Sequence, residues 1–142
     1  MLIGRILQHK GTEVTTVRPD VTVAELLAVL ADNNIGAVVV SEDGSSIAGI
    51  VSERDIVRRL HDRGAGVLDA PVSSIMTAEV RTCSLDADVD ELRHTMTTHR
   101  IRHVPVMRDG GLAGIVSIGD VVKSAIEELE TEKAYLVDYL HR

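Results

Sequence analysis

Apolar and polar positions change rhythm along this chain, and each change predicts an element. Leu2 to Leu7 is short and apolar and reads as a small N-terminal helix. Val14-Thr15-Thr16-Val17 is β-branched and reads as a strand, broken by Pro19-Asp20. Thr22 then stands as an N-cap with Glu25 at the capping-box position. Val23, Leu26, Leu27 and Leu30 follow at the spacing of one helix face. Ile35 to Val40 is a buried-strand run, Asp43-Gly44 a turn, and Ile47 to Val51 the returning strand. A helix with Ile56, Val57 and Leu60 on its apolar side follows Ser52 and ends near Gly64. Residues 64–73 carry Gly, Ala and Pro71 and read as a linker before Ser74-Ile75-Met76.

The pattern then restarts. Val14, Thr16, Asp20, Val23, Glu25, Leu26 and Ile35 return as Val80, Thr82, Asp86, Val89, Glu91, Leu92 and Ile101. All are displaced by 66 positions, as are Val38, Val40 and Gly44 from Val104, Val106 and Gly110. One residue is lost in the turn, so Gly49, Ser52 and Asp55 match Gly114, Ser117 and Asp120 at 65. A single deletion at a surface turn is how a duplication drifts. Neither copy is large enough to be comfortable alone, so the two should pack through their sheets around a pseudo-two-fold cleft.

The stretch repeated most closely is Gly49-Ile50-Val51-Ser52-x-x-Asp55, which returns as Gly114-Ile115-Val116-Ser117-x-x-Asp120. Each runs from a strand into a helix. Such a junction offers a hydroxyl, free backbone N–H groups and a carboxylate at one point, which can hold a phosphate and grip a sugar. The same spacing is close to a capping box, with Ser at the N-cap and Asp three residues on, and the two roles can coexist.

Composition narrows the function classes. The core must be aliphatic, because Trp and Phe are absent and the only aromatics are Tyr135 and Tyr139. That argues against a base-stacking platform, and a net charge of -7 disfavours general affinity for nucleic acid or anionic lipid. The lone Cys83 excludes an internal disulfide, and the histidines show no metal-ligand spacing, so no metal site is expected. No signal peptide or membrane-length apolar run is visible, which implies a soluble cytoplasmic protein. No nucleophile–base set suggests an enzyme.

Two tandem units of this kind, each ending in Gly-Ile-Val-Ser-x-x-Asp, resemble a CBS-domain pair, or Bateman module, over residues 1 to about 126. His99-Arg100-Ile101-Arg102-His103-Val104-Pro105-Val106 resembles the family's middle strand, and Ser74-Ile75-Met76-Thr77 the entry to its second repeat. The chain is similar above all to small bacterial proteins made of one such pair. The resemblance implies an α/β fold of two β-α-β-β-α repeats: repeat 1 over 1–63, a linker over 64–73, and repeat 2 over 74–126. It implies a regulatory module that binds AMP, ADP or ATP, or else NAD(H) or S-adenosylmethionine, with no cofactor required. It also implies a homodimer and an unidentified protein effector.

Carried onto this chain, the implied nucleotide site takes Thr16, Gly36, Ala37, Ser52 and Asp55 from repeat 1. From repeat 2 it takes Thr82, Arg102, His103, Val104, Ser117 and Asp120. In the family the aspartate accepts the ribose hydroxyls, and basic residues on the middle strand contact phosphate. Arg100, Arg102 and His103 stand where repeat 1 has Asn34, Gly36 and Ala37, so the two clefts should differ. Which aspartate shares a cleft with Arg102 stays open at this level.

The helical pattern continues through 127–142, with Ile126, Leu129, Leu136 and Leu140 on one stripe and Lys133 interrupting it. A partner subunit would cover that stripe, unless the helix folds back on its own domain. The competing function is a ligand-free adaptor that only dimerises.

Overall fold

The duplication is written in the hydrogen bonding of two three-stranded sheets. The computed structural model describes residues 1–142. In chain order the helices are α1 (Ile3–Lys10), α2 (Val23–Asn33), α3 (Glu53–Arg63), α4 (Val89–His99) and α5 (Ile118–Leu140). The strands are β1 (Thr16–Val17), β2 (Ala37–Val40), β3 (Gly49–Ser52), β4 (Cys83–Ser84), β5 (His103–Arg108) and β6 (Gly111–Ser117). The middle strands β2 and β5 each pair parallel with the strand before and antiparallel with the strand after. Registers match across the repeats: Val17 faces Val40 as Cys83 faces Val106, and Ala37 faces Ser52 as His103 faces Ser117.

Local chemistry explains where the elements begin and end. The side chain of Thr22 accepts the Glu25 N–H and starts α2. Both α2 and α4 stop at a left-handed residue, Asn34 (φ 51°) and Arg100 (φ 54°). The β5–β6 turn is Asp109-Gly110, both at positive φ, the geometry that Asp-Gly favours between two strands. The longer turn of repeat 1 is held by the Asp43 carboxylate. Hydrogen bonds from the backbone of Ser46 and then Ser45 hold its pKa down at about 2.

The opening strands are shorter than their sequence suggests, and the second is the more revealing. Thr16 pairs with Val39, whose counterpart in repeat 2 is Pro105. Proline has no N–H to give a ladder, so β4 starts at Cys83, opposite Val106, and Thr82 falls outside it and is exposed. Cys83 packs against the core of repeat 2 but is only half-buried; burial lifts its thiol to about 11.

Each repeat has its own apolar cluster. The first joins β2 and β3 (Val38, Val40, Val51) to α2 and α3, and the linker adds Val67 and Val72, with Ile75 just beyond it. The second joins Val104, Val106 and Val116 to α4 and α5, with Ile3, Ile6 and Leu7 of α1. Burying each such aliphatic side chain contributes about 1.5–3 kcal/mol. Thus α1 precedes repeat 1 in the chain but packs on repeat 2. The linker docks on the start of α2 through Val23 N–H to Ala70 O, as the N-terminal segment docks on the start of α4 through Val89 N–H to Met1 O.

The repeats meet where the Leu112 N–H donates to Ser45 O at 2.8 Å and where Gly36 lies beside His103. Beyond Ile126 every residue of α5 is exposed, so its distal half leaves the domain instead of folding back.

Candidate functional site

The two Ser-x-x-Asp junctions are built alike. The Ser52 hydroxyl accepts the Asp55 N–H at 3.3 Å, and Asp55 Oδ2 accepts the Ser52 N–H at 2.8 Å. At the second junction Ser117 accepts the Asp120 N–H at 3.1 Å, and Asp120 Oδ2 accepts the Ser117 N–H at 2.8 Å. Both are complete capping boxes. Each cap is worth about 1 kcal/mol to its helix, and the carboxylates stay half-buried at the strand ends.

The surroundings of the two carboxylates differ. Asp55 is engaged only by Ser52. Asp120 Oδ2 also accepts from the Lys10 ammonium at 2.6 Å, and the same ammonium reaches Ile115 O at 2.9 Å. Burial pushes the Asp120 carboxyl up, but the Lys10 and Ser117 hydrogen bonds outweigh it and hold the group below the usual carboxylate value. His103 stands opposite Ser117 in the sheet and is half-buried. Burial lowers its pKa and Lys10 lowers it further, while Asp120 and Glu53 pull it partly back. The imidazole is therefore neutral near pH 7.

A fold of this topology, duplicated with matched registers and paired capping boxes, has relatives. The CBS domain family model matches residues 8–62 and again 72–127. The chain belongs to the CBS-domain family. A CBS-domain protein of Agrobacterium tumefaciens superposes with a TM-score of 0.85 at 43% identity, over 88% of this chain and 99% of that one. The mitochondrial CBS domain-containing protein CBSX3 of Arabidopsis thaliana is 38% identical over 125 residues, 82% of this chain but 61% of CBSX3's length. The CBS domain pair of protein MJ0100, solved in complex with 5′-methylthioadenosine and S-adenosyl-L-methionine, superposes at a TM-score of 0.77. It is 25% identical, over 87% of this chain and 98% of that one.

The residues read from the sequence fall into two unequal groups around the CBS repeats. Ser117, Asp120 and His103 lie at one junction, with Arg102 beside His103 and exposed. The basic residues of the middle strand therefore stand on the side of Asp120. Ser52 and Asp55 lie at the other junction, where Ala37 faces Ser52 and no cation pairs with Asp55. Gly36 is shared ground: a Cβ there would lie 3.4 Å from Glu53 Oε1 and 3.9 Å from His103 Cε1. Val104 and Ala37 are buried, so any contact they make with a ligand is through backbone. Thr16 is half-buried in β1, whereas Thr82 is exposed and lies just before the start of β4.

Lys10 is the residue that sequence reading passed over. A signal was present, since the 66-residue offset sets Lys10 against Met76 of the Ser-Ile-Met-Thr entry. That comparison was masked because α1 packs on the other repeat. An open groove of about 930 Å³ runs from Lys10 and Asp120 between α1 and α5, walled by Arg5 and His9 on one side and Glu127, Glu128 and Glu132 on the other. Asp120 is the one residue of that junction in its lining; Ser117, Arg102 and His103 lie outside it. No helix is long and apolar enough to cross a membrane.

Proposed function

We propose that this chain is a regulatory module that binds adenosine-containing nucleotides in the clefts between its CBS repeats. AMP, ADP and ATP are the leading ligands, with NAD(H) and S-adenosylmethionine as further members of the class. Occupancy would be passed on because ligand favours one arrangement of a dimer or of a partner-facing surface over another. The observation that carries the reading is the convergence of Ser117, Asp120 and His103 at one strand-to-helix turn. Ribose hydroxyls would go to the aspartate, and phosphate to the helix N-terminus, Arg102 and His103. The adenosine ligands of the MJ0100 pair support the choice of class. The same reading sets the module in the cytoplasm as a homodimer, joined through Val57 and Val122, exposed at matched positions of α3 and α5, and through the stripe of α5.

The test is a thermal-shift and titration panel with AMP, ADP, ATP, NAD+, NADH and S-adenosylmethionine on the wild type, Asp55→Ala and Asp120→Ala. A ligand of the native state raises the melting point as its concentration passes Kd. A concentration-dependent shift lost in Asp120→Ala supports the reading. No shift with any of them at millimolar levels would instead favour a ligand-free adaptor. One observation favours that second reading: both aspartates are already committed to capping boxes.

A further inference from the structure

We propose that Lys10 is a charge-exchange latch that makes the Asp120 cleft select phosphorylated over unphosphorylated nucleosides. The inference rests on the nucleotide reading above and assigns a specificity role to a residue outside the repeated motif.

Its basis is the 2.6 Å contact between the Lys10 ammonium and Asp120 Oδ2. Oδ2 already accepts the Ser117 N–H, so a ribose diol that spans both carboxylate oxygens, instead of taking Oδ1 alone, has to compete with the ammonium. Breaking that pair strands two charges that are only partly solvated; their side chains are 36% and 22% exposed. A neutral nucleoside gives the released ammonium nothing in return. A phosphorylated one does, because its phosphate would lie near the Arg102 cation and the neighbouring His103 imidazole, within reach of a flexible four-carbon side chain. The carboxylate exchanges an ammonium for hydroxyls while the ammonium exchanges a carboxylate for a phosphate.

The other junction lacks every part of this device. Met76 stands at the position matching Lys10, its sulfur packed over Gly49. The Ile50 carbonyl, counterpart of Ile115 O, is taken by the Thr77 N–H at 2.9 Å. Gly36 and Ala37 replace Arg102 and His103. The Asp55 cleft has no latch to open and no cation to receive phosphate, so it would not discriminate in this way.

The experiment is calorimetric titration with AMP and with adenosine, in an Asp55→Ala background that silences the first cleft. The variants compared are the background alone, Lys10→Met, Lys10→Arg and Asp120→Ala. The expected result is a preference for AMP that Lys10→Met collapses from both sides. AMP weakens by about tenfold or more, while adenosine holds or tightens. Lys10→Arg, which keeps the charge, retains the preference. A simple loss of folding would weaken both ligands together and cannot imitate this pattern. If AMP binds and Asp120→Ala abolishes it, but Lys10→Met leaves the AMP-to-adenosine ratio unchanged, the latch is overturned and the nucleotide reading stands. If neither ligand binds the background protein or the wild type, the latch is overturned, and the nucleotide reading falls with it when ADP, ATP, NAD(H) and S-adenosylmethionine also fail to bind.

Discussion

Leu7 occupies the space directly over Gly114: two of its methyl carbons lie 2.8 Å from where a Cβ on that glycine would sit. Through this contact α1 closes onto the sheet of the repeat it does not precede. The matching glycine of repeat 1, Gly49, is covered by the segment that follows the linker, with Met76 Sδ at 2.6 Å and Thr77 O at 2.8 Å from its Cβ point. Gly49→Ala should therefore cost more than Gly114→Ala. A Leu7 side-chain tip can turn aside, but a carbonyl in the Ile50–Thr77 backbone pair cannot. Denaturant unfolding should show a loss of about 1–3 kcal/mol for Gly49→Ala and less for Gly114→Ala. Equal losses would mean that the Met76-Thr77 segment yields as easily as α1.

Arg100 ends α4 in the left-handed conformation, which a side chain with a Cβ adopts at a cost. Asn34 fills the same place after α2. Arg100→Asn or Arg100→Gly should stabilise the fold by about 0.5–1 kcal/mol, read as a higher unfolding midpoint with an unchanged denaturant slope. Arg100 is exposed and makes no side-chain hydrogen bond or ion pair, so little is lost to offset the gain.

The exposed stripe of α5 makes a prediction about assembly. Val122, Ile126, Leu129, Leu136 and Leu140 are between 50% and 77% exposed and recur at the four-three spacing of a helix-pairing seam, with Lys133 between them. If a second copy covers the seam, Leu129→Asp with Leu136→Asp should lower the mass seen by light scattering at micromolar concentration. The circular dichroism of the folded domain should persist, because these side chains belong to neither apolar cluster. An unchanged mass would remove α5 from the interface.

Much of this architecture was legible in the chain because its signals are local or repeated. The capping boxes of Ser52–Asp55 and Ser117–Asp120, the turn at Asp43-Gly44 and the buried run ending at Val40 each follow from residues a few positions apart. Three features were not legible, and each depends on residues far apart in the chain. β4 is shortened because Pro105, on the neighbouring strand, withholds an N–H. The placement of α1 on repeat 2 depends on Ile3, Ile6 and Leu7 finding Val89, Met96 and Val116. Lys10 reaches Asp120 across 110 positions, and only as a consequence of that packing.

His103 links the site to pH. Its folded pKa lies below the ordinary 6.5, first because it is buried and next because of Lys10, with Asp120 and Glu53 opposing. The unfolded chain therefore binds its proton more readily than the folded one. The resulting stability is complete above 6.5, and it declines as pH falls through 6.5 toward the folded value. His103→Gln should flatten the stability profile from about pH 7.5 to about pH 5.5. A phosphate beside the imidazole would reverse the preference by favouring the imidazolium. Binding of AMP near pH 6.5 should then take up a fraction of a proton, seen as a binding enthalpy that varies with the ionisation enthalpy of the buffer. His103→Gln should lower that uptake, leaving only the part owed to the phosphate's own second ionisation at about pH 6. A buffer dependence that is the same in the wild type and His103→Gln would place the phosphate away from His103, whatever the affinity.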